Sequence, residues 1–131
     1  SEATKGGLRP RVRSVAHTSH AQEPSEFTMA PIGAIGSLMA KTSWEKDSVD
    51  LFEINEAFAV VPMAAIESLG LDAAKVHVNG GACALGHPLG CSGTRIAVTL
   101  LAALANHGKI RGVASLCICG GEATALAVEL I

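Results

Sequence analysis

Polar and apolar positions alternate loosely through residues 11–18, beginning Arg11-Val12-Arg13-Ser14-Val15, which predicts a strand. Residues 19–30 are polar and turn-rich and read as a loop. Pro31 suits a first helical turn, and Ile32, Ile35, Leu38 and Met39 then recur at helical spacing to about Lys41. Thr42 to Ser48 is a polar connection, followed by a short strand at Val49-Asp50-Leu51-Phe52-Glu53-Ile54. Asn55 is a preferred N-cap for a helix whose apolar face carries Phe58, Val61, Ala65, Ile66 and Leu69, with Gly70 as its stop. Pro62 falls inside that helix and predicts a kink. Lys75-Val76-His77-Val78-Asn79 alternates and predicts a further strand. Residues 80–93 are too rich in glycine for a regular element. A helix from about Ser92 to His107 is closed by Gly108. Two strands, about 112–118 and 123–130, flank Gly120-Gly121, a turn suited to a tight antiparallel hairpin. Alternating strands and helices ending in a hairpin predict an α/β fold: a mostly parallel mixed sheet with an antiparallel C-terminal hairpin and helices on both faces.

The run Ile96 to Asn106 carries no charge on any face. A surface helix shows an apolar stripe and a charged back, so one without charge is expected to be buried on all sides. At roughly 16 Å it is too short to cross a bilayer. One sheet covers only one side of such a helix, and the rest of the chain has little left to cover the other. The pattern therefore predicts a further covering element, either a second domain or another subunit.

The chain has 131 residues, the size of one domain or part of one; 49% are hydrophobic and 17% charged, which excludes a disordered or collagen-like chain. The net charge of −2 removes the basic excess of a general nucleic-acid binder, and three Phe, one Trp and no Tyr leave few stacking platforms. No charge-free apolar run reaches the roughly 18 residues of a membrane helix. Cys83, Cys91, Cys117 and Cys119 are too few for a secreted disulfide scaffold, and no apolar signal segment opens the chain. These features predict a soluble protein of a reducing, cytoplasmic compartment. The basic start (Lys5, Arg9, Arg11, Arg13) has the charge of a transit peptide but the alternation of a strand. The opening Ser1-Glu2-Ala3-Thr4, without an initiator Met, hints at an excised or incomplete product.

Three places can carry chemistry. In Gly86-His87-Pro88 the flanking residues set the backbone and clear space around an imidazole, as a positioned neutral His requires; a capping or core-satisfied histidine reads equally well. In Cys117-Ile118-Cys119-Gly120-Gly121 a strand-end thiol lies beside glycine N–H groups, which suits a thiol acid/base next to an oxyanion hole, although cysteine is also a small hydrophobe at home in a buried strand. Asn55-Glu56-Ala57-Phe58 reads as an N-cap with an acidic first turn, or as an amide holding a water or a carbonyl. Cys83, His87 and Cys91 do not have the spacing of a zinc knuckle, so no metal site is assigned. The glycine loop has neither GxxxxGK[ST] nor GxGxxG, so nucleotide binding is weakly supported.

Taken together, Asn55-Glu56-Ala57-Phe58, the run from Asn79 through Gly86-His87-Pro88-Leu89-Gly90 to Gly93, and Cys117-Ile118-Cys119-Gly120-Gly121 resemble the C-terminal part of a thiolase of the acetyl-CoA C-acetyltransferase type. The resemblance covers nearly the whole chain. It implies half of an α/β/α/β/α sandwich, with residues 96–106 in the central helix layer. Residues 1–131 are then an incomplete C-terminal domain, without the N-terminal half and without the first strand of its own sheet. The implied reaction is a Claisen condensation or thiolysis of 3-ketoacyl-CoA through an acyl-cysteine, within fatty acid metabolism. His87 would activate the nucleophilic cysteine and line the oxyanion hole. Asn55 would hold a water there, and Cys117 would shuttle a proton. The backbone of Cys119 would serve an oxyanion hole, while Phe58 and Gly120 would contact substrate.

The resemblance implies no cofactor beyond the coenzyme A thioester substrate, no nucleic acid and no membrane span. The implied partners are acyl-CoA, the N-terminal half that carries the nucleophile, and further copies in a homo-oligomer. A non-catalytic acyl-CoA or partner-binding module on the same scaffold is the alternative. Cys119 stands where the family motif has a glycine, and its side chain is expected to crowd substrate or forbid a positive φ.

Overall fold

The computed structural model describes residues 2–131. Its elements in chain order are α1 (Glu2–Lys5), β1 (Val12–Ala21), α2 (Ala30–Thr42), β2 (Leu51–Ile54), α3 (Val60–Leu69), α4 (Ala82–Leu85), α5 (Ser92–Asn106), β3 (Arg111–Ile118) and β4 (Glu122–Leu130). Short 3-10 turns lie at Pro24–Met29, Lys46–Ser48 and Ala73–Lys75. The four strands form one sheet in the order β1-β4-β3-β2. The fold is α/β with a mixed sheet and the expected C-terminal hairpin. Within the sheet the balance differs from expectation, since β2 and β3 are parallel whereas β3 pairs β4 and β4 pairs β1 antiparallel.

Helices lie on both faces. Alternate residues of β3 and β4 (Val113, Cys117, Ala123, Ala125, Ala127) point to α2 and α3, where Ala34, Ile35, Leu38, Val61 and Ala65 complete a core with Phe52 and Ile54. The opposite side of the sheet, with Leu51, Ala114 and Val128, receives Ile96, Leu100, Ala103 and Leu104 of α5. The alanines of β4 keep the first core thin enough for helix α2 to settle on the hairpin. Gly112 does the same on the other side, because a Cβ there would sit 2.8 Å from a Leu100 methyl.

Several local expectations are corrected. The loop expected at 19–30 contains the end of β1, which runs to Ala21 because its N–H and C=O groups pair with β4 down to His20↔Ala123 and Ala21↔Glu122. The strand expected at 75–79 is a single parallel bridge between Val76 and Phe52; His77 then turns the chain away with φ +52. Pro62 makes no kink, because α3 starts at Val60 and the proline falls in its first turn, where no intrahelical N–H is needed. The glycine-rich run contains one short helical turn, α4.

Helix α5 is buried on one side only, in keeping with the expectation that this chain has little left to cover the other. Val98 is 60% exposed, and Ala102 and Ala105 face outward with it. The sheet is the only layer that packs on α5 among the described residues. A groove lined by Val12, Val98, Leu101, Ala102 and Leu130, with Arg11 beside them, continues this surface.

Two small anchors hold the sheet. Asp50, just before β2, accepts the backbone N–H groups of Ile110 (3.0 Å) and Arg111 (2.8 Å). Partial burial opposes its charge, but these two N–H groups together with the charges of Lys109 and Lys75 outweigh that and hold the carboxyl below its ordinary range. At the hairpin, Gly121 has φ +97, and a Cβ there would run into the Gln22 carbonyl.

We expect Gly121→Ala to lower the unfolding free energy by about 1–3 kcal/mol. Gly36→Ala, on α2 with open space around it, should raise it by about 0.4–1 kcal/mol. Urea titrations of both variants check the pair of signs. For Asp50 the lowered pKa means that its stabilisation is complete above the unfolded carboxyl value and is lost as pH falls through the folded one. An Asp50→Ala chain should therefore show a shallower loss of stability on acidification below about pH 4. An unchanged acid limb would refute the anchor.

Candidate active site

The site is built where the end of β2 meets the glycine loop. Asn55 directly follows β2 and continues its pairing, its N–H donating to the Ser115 carbonyl at 2.8 Å. This places Asn55 beside β3 two residues before Cys117. Asn55 is completely buried and is not a helix cap, since α3 begins at Val60 behind a different residue, Ala59. Its amide instead reaches two other segments. Nδ2 lies 3.4 Å from His87 Nε2, and Oδ1 accepts from Arg95 Nη2 at 3.0 Å. The next residue does parallel work, because Glu56 Oε2 accepts the backbone N–H of Cys83 at 2.8 Å. The Asn-Glu pair thus clamps the glycine loop at both its start and its histidine.

His87 is held from its other nitrogen as well. Nδ1 lies 2.6 Å from Ser92 Oγ, and that hydroxyl is within 3.2 Å of the Pro88 carbonyl. The Pro88 carbonyl also accepts the N–H groups of Cys91 and Ser92, which ties the Gly-His-Pro turn onto the first turn of α5. The ring is half-buried. Its Nδ1 side is tightly engaged and its Nε2 side only loosely.

Beneath this lies a charged layer that the sequence reading did not assign to the site. Glu53, 1% exposed in the middle of β2, places Oε2 3.2 Å from His77 Nδ1 and 3.7 Å from Arg95 Nη1. Four buried atoms of this layer have no hydrogen-bond partner among the described residues: Glu53 Oε1, His77 Nε2 and Arg95 Nε and Nη1. The carboxylate and the guanidinium neutralise each other mainly by charge. A signal for both residues was present in the sequence. Glu53 interrupts an otherwise apolar strand, and Arg95 is the one charge in a helix that has no other.

Cys117 occupies the inner face of β3 near its end and is buried. Burial pushes its thiol pKa up and the neighbouring Cys119 adds to this, against a lowering by a backbone hydrogen bond. Cys119 and Gly120 lie in the hairpin turn, where Gly121 N–H closes on the Ile118 carbonyl at 3.1 Å. Among the described residues only Ser43 and His77 are non-glycines with positive φ. Cys119 is not among them, so no positive φ stands against its side chain. Phe58 is 60% exposed, its ring set edge-on to Phe27 at 6.3 Å. Among the described residues no group of three His, Cys, Asp or Glu is arranged to hold a metal ion.

A loosely held imidazole nitrogen and a carboxamide meet at the end of β2, and a buried thiol lies on the adjoining strand β3. The family comparison agrees with that geometry, for residues 8–130 match the model described as "Thiolase, C-terminal domain". The chain belongs to the thiolase family. It is 50% identical over 129 residues to the cytosolic acetyl-CoA acetyltransferase of Mus musculus, covering 98% of this chain and 32% of that protein. It is 44% identical to the acetyl-CoA acetyltransferase of Allochromatium vinosum, covering 98% of this chain and 33% of that one. Among solved structures, the Bacillus anthracis acetyl-CoA acetyltransferase superposes with a TM-score of 0.96 at 41% identity, over 99% of this chain and 33% of its own. An Ascaris suum thiolase in complex with coenzyme A gives 0.93 at 43% identity, over 98% and 33%. The chain spans about a third of the length of the relatives it matches.

Because its thiol pKa is raised, Cys117 should be alkylated by iodoacetamide near neutral pH more slowly than the exposed Cys91 and Cys119. The stability sign follows from the same shift. A fold that favours the protonated thiol is fully stabilised below the unfolded thiol value and weakens as pH climbs past about 8.5. Cys117→Ala should remove part of that alkaline decline. Fastest labelling at Cys117 would contradict the burial argument.

Proposed function

We propose that this chain is the C-terminal catalytic part of a thiolase, acting in acyl transfer between acyl-CoA thioesters: Claisen condensation, or thiolysis of 3-ketoacyl-CoA. The observation that carries the reading is the Asn55–His87 contact, made across the chain by β2 and the glycine loop and set on the strand next to Cys117. In this proposal His87 Nε2 takes the proton of a nucleophilic cysteine supplied by a separate N-terminal half. Once protonated, it donates to the thioester oxygen together with a water held by Asn55. Cys117, neutral at rest, gives a proton to the leaving thiol of coenzyme A or takes one from the substrate α-carbon. The Cys119 N–H serves the second oxyanion, and Phe58 and Gly120 border the acyl-CoA.

The same N-terminal half is the proposed cover for the open side of α5, where Val98, Ala102 and Ala105 lie bare. Residues 1–131 then form one part of a thiolase C-terminal domain, in a cytoplasmic homo-oligomer that serves fatty acid metabolism. The side chains named here and the coenzyme A thioester are the whole proposed catalytic inventory.

The chain alone should not turn over acetoacetyl-CoA. Substituted for the corresponding third of the mouse relative, it should support thiolysis, and His87→Ala in that chimera should reduce the rate by about 10²–10⁴-fold. Rapid turnover by the 131 residues alone, or a chimera indifferent to His87→Ala, would overturn the proposal. Coenzyme A binding by a folded but inactive chimera would favour the binding-module alternative.

A further inference from the structure

The mechanism above needs His87 to present a bare Nε2, yet the residues touching His87 do not by themselves force this. Asn55 can turn either end of its amide to the ring. Ser92 Oγ can donate to Nδ1 or accept from it, and at 2.6 Å either assignment is a good hydrogen bond. If Ser92 donates to Nδ1, Nε2 carries the proton and Asn55 must face it with Oδ1. If Ser92 donates to the Pro88 carbonyl, Nδ1 carries the proton and Asn55 faces Nε2 with its NH2. Two self-consistent networks are thus open to His87, Ser92 and Asn55 taken alone.

Arg95 breaks the tie. A guanidinium has donors and no acceptor, so the atom of Asn55 lying 3.0 Å from Nη2 is an oxygen. The amide NH2 then points at His87 Nε2, which must accept; Nδ1 keeps the proton and gives it to Ser92, whose own hydrogen goes to Pro88. What keeps Arg95 in place is Glu53, buried in β2 with Oε2 3.7 Å from Nη1 and 3.2 Å from His77 Nδ1. Three buried nitrogens of Arg95 and His77 lack hydrogen-bond partners, as does Glu53 Oε1. A cluster this incompletely bonded is a poor stabilising device, which favours a positioning role over a purely structural one.

We infer that the buried Glu53–Arg95 pair is a positioning device that sets the Asn55 amide and, through it, the Nδ1–H tautomer of His87. Neither residue touches the ring; both act through Asn55. The inference rests on the proposed role of His87 for its purpose, but the tautomer itself is read without any activity.

The test is the 15N spectrum of the whole chain labelled at histidine, with His87 assigned by its disappearance in His87→Gln. In the unaltered chain Nε2 should resonate as an unprotonated nitrogen and Nδ1 as a protonated one. In Arg95→Gln, where the new amide can donate or accept, the Nε2–H tautomer should appear and the single form should be lost. Arg95→Lys, which again offers only donors, should restore the Nδ1–H form. Should Arg95→Gln alone unfold because Glu53 is left uncompensated, the double variant Glu53→Gln/Arg95→Gln removes both charges and reads the same change. An Nε2–H tautomer in the unaltered chain overturns the inference whatever the variants do, as does an unchanged Nδ1–H form in a folded Arg95→Gln or double variant. Failure of the chimera to turn over substrate, with the tautomer result as expected, would overturn the acyl-transfer reading and leave this one standing.

Discussion

A fully buried carboxamide has to satisfy a donor end and an acceptor end without water, and at Asn55 this requirement joins three separate stretches of chain. The oxygen needs a donor, which α5 supplies as Arg95; the NH2 needs an acceptor, which the glycine loop supplies as His87. The backbone N–H of the same residue is taken by Ser115 on β3. Strand, loop and helix cannot move relative to one another without stranding one of these groups. The placement of the histidine and the placement of α5 are therefore one problem with one solution.

The charged layer under that amide has an unusual composition for a stable core. A glutamate at the centre of a four-residue buried strand costs several kcal/mol of desolvation unless a cation answers it closely. Arg95 answers it with charge and His77 with a polar contact at 3.2 Å, the latter from a left-handed backbone conformation that non-glycine residues seldom adopt. Its N–H is held by the Phe52 carbonyl and its carbonyl by Gly80 N–H, so the turn that ends the Val76 bridge also delivers the imidazole to Glu53. Local strain and buried charge meet at the same place, directly beneath Asn55 and His87.

The open face of α5 follows from the sheet's geometry. A sheet offers one surface to a helix, and β2, β3 and β4 use theirs on Ile96, Leu100, Ala103 and Leu104. The helix's outward side is uncharged, with Val98, Ala102 and Ala105 exposed between Thr94 and Asn106.

Much of this was legible in the residue pattern. The helices at α2 and α5, a strand ending at Ile54 and the hairpin about Gly120-Gly121 follow from period and turn residues, because these are local properties of neighbouring side chains; the pairing of Asn55 with His87 was implied by the family resemblance alone. Other features required the tertiary structure. An isolated asparagine before a helix looks like a cap, and only the approach of Arg95 and His87 from 40 and 32 positions away shows it to be a buried connector. Residues 75–79 alternate like a strand, yet only Val76 finds a pairing partner, because a ladder needs a neighbour in register as well as a suitable pattern. The majority of antiparallel pairs likewise arose from β1 joining the hairpin at β4, a choice of edge that no local signal encodes. Sequence determined which segments could be helix, strand or reactive loop; long-range pairing of buried polar groups decided which of them meet.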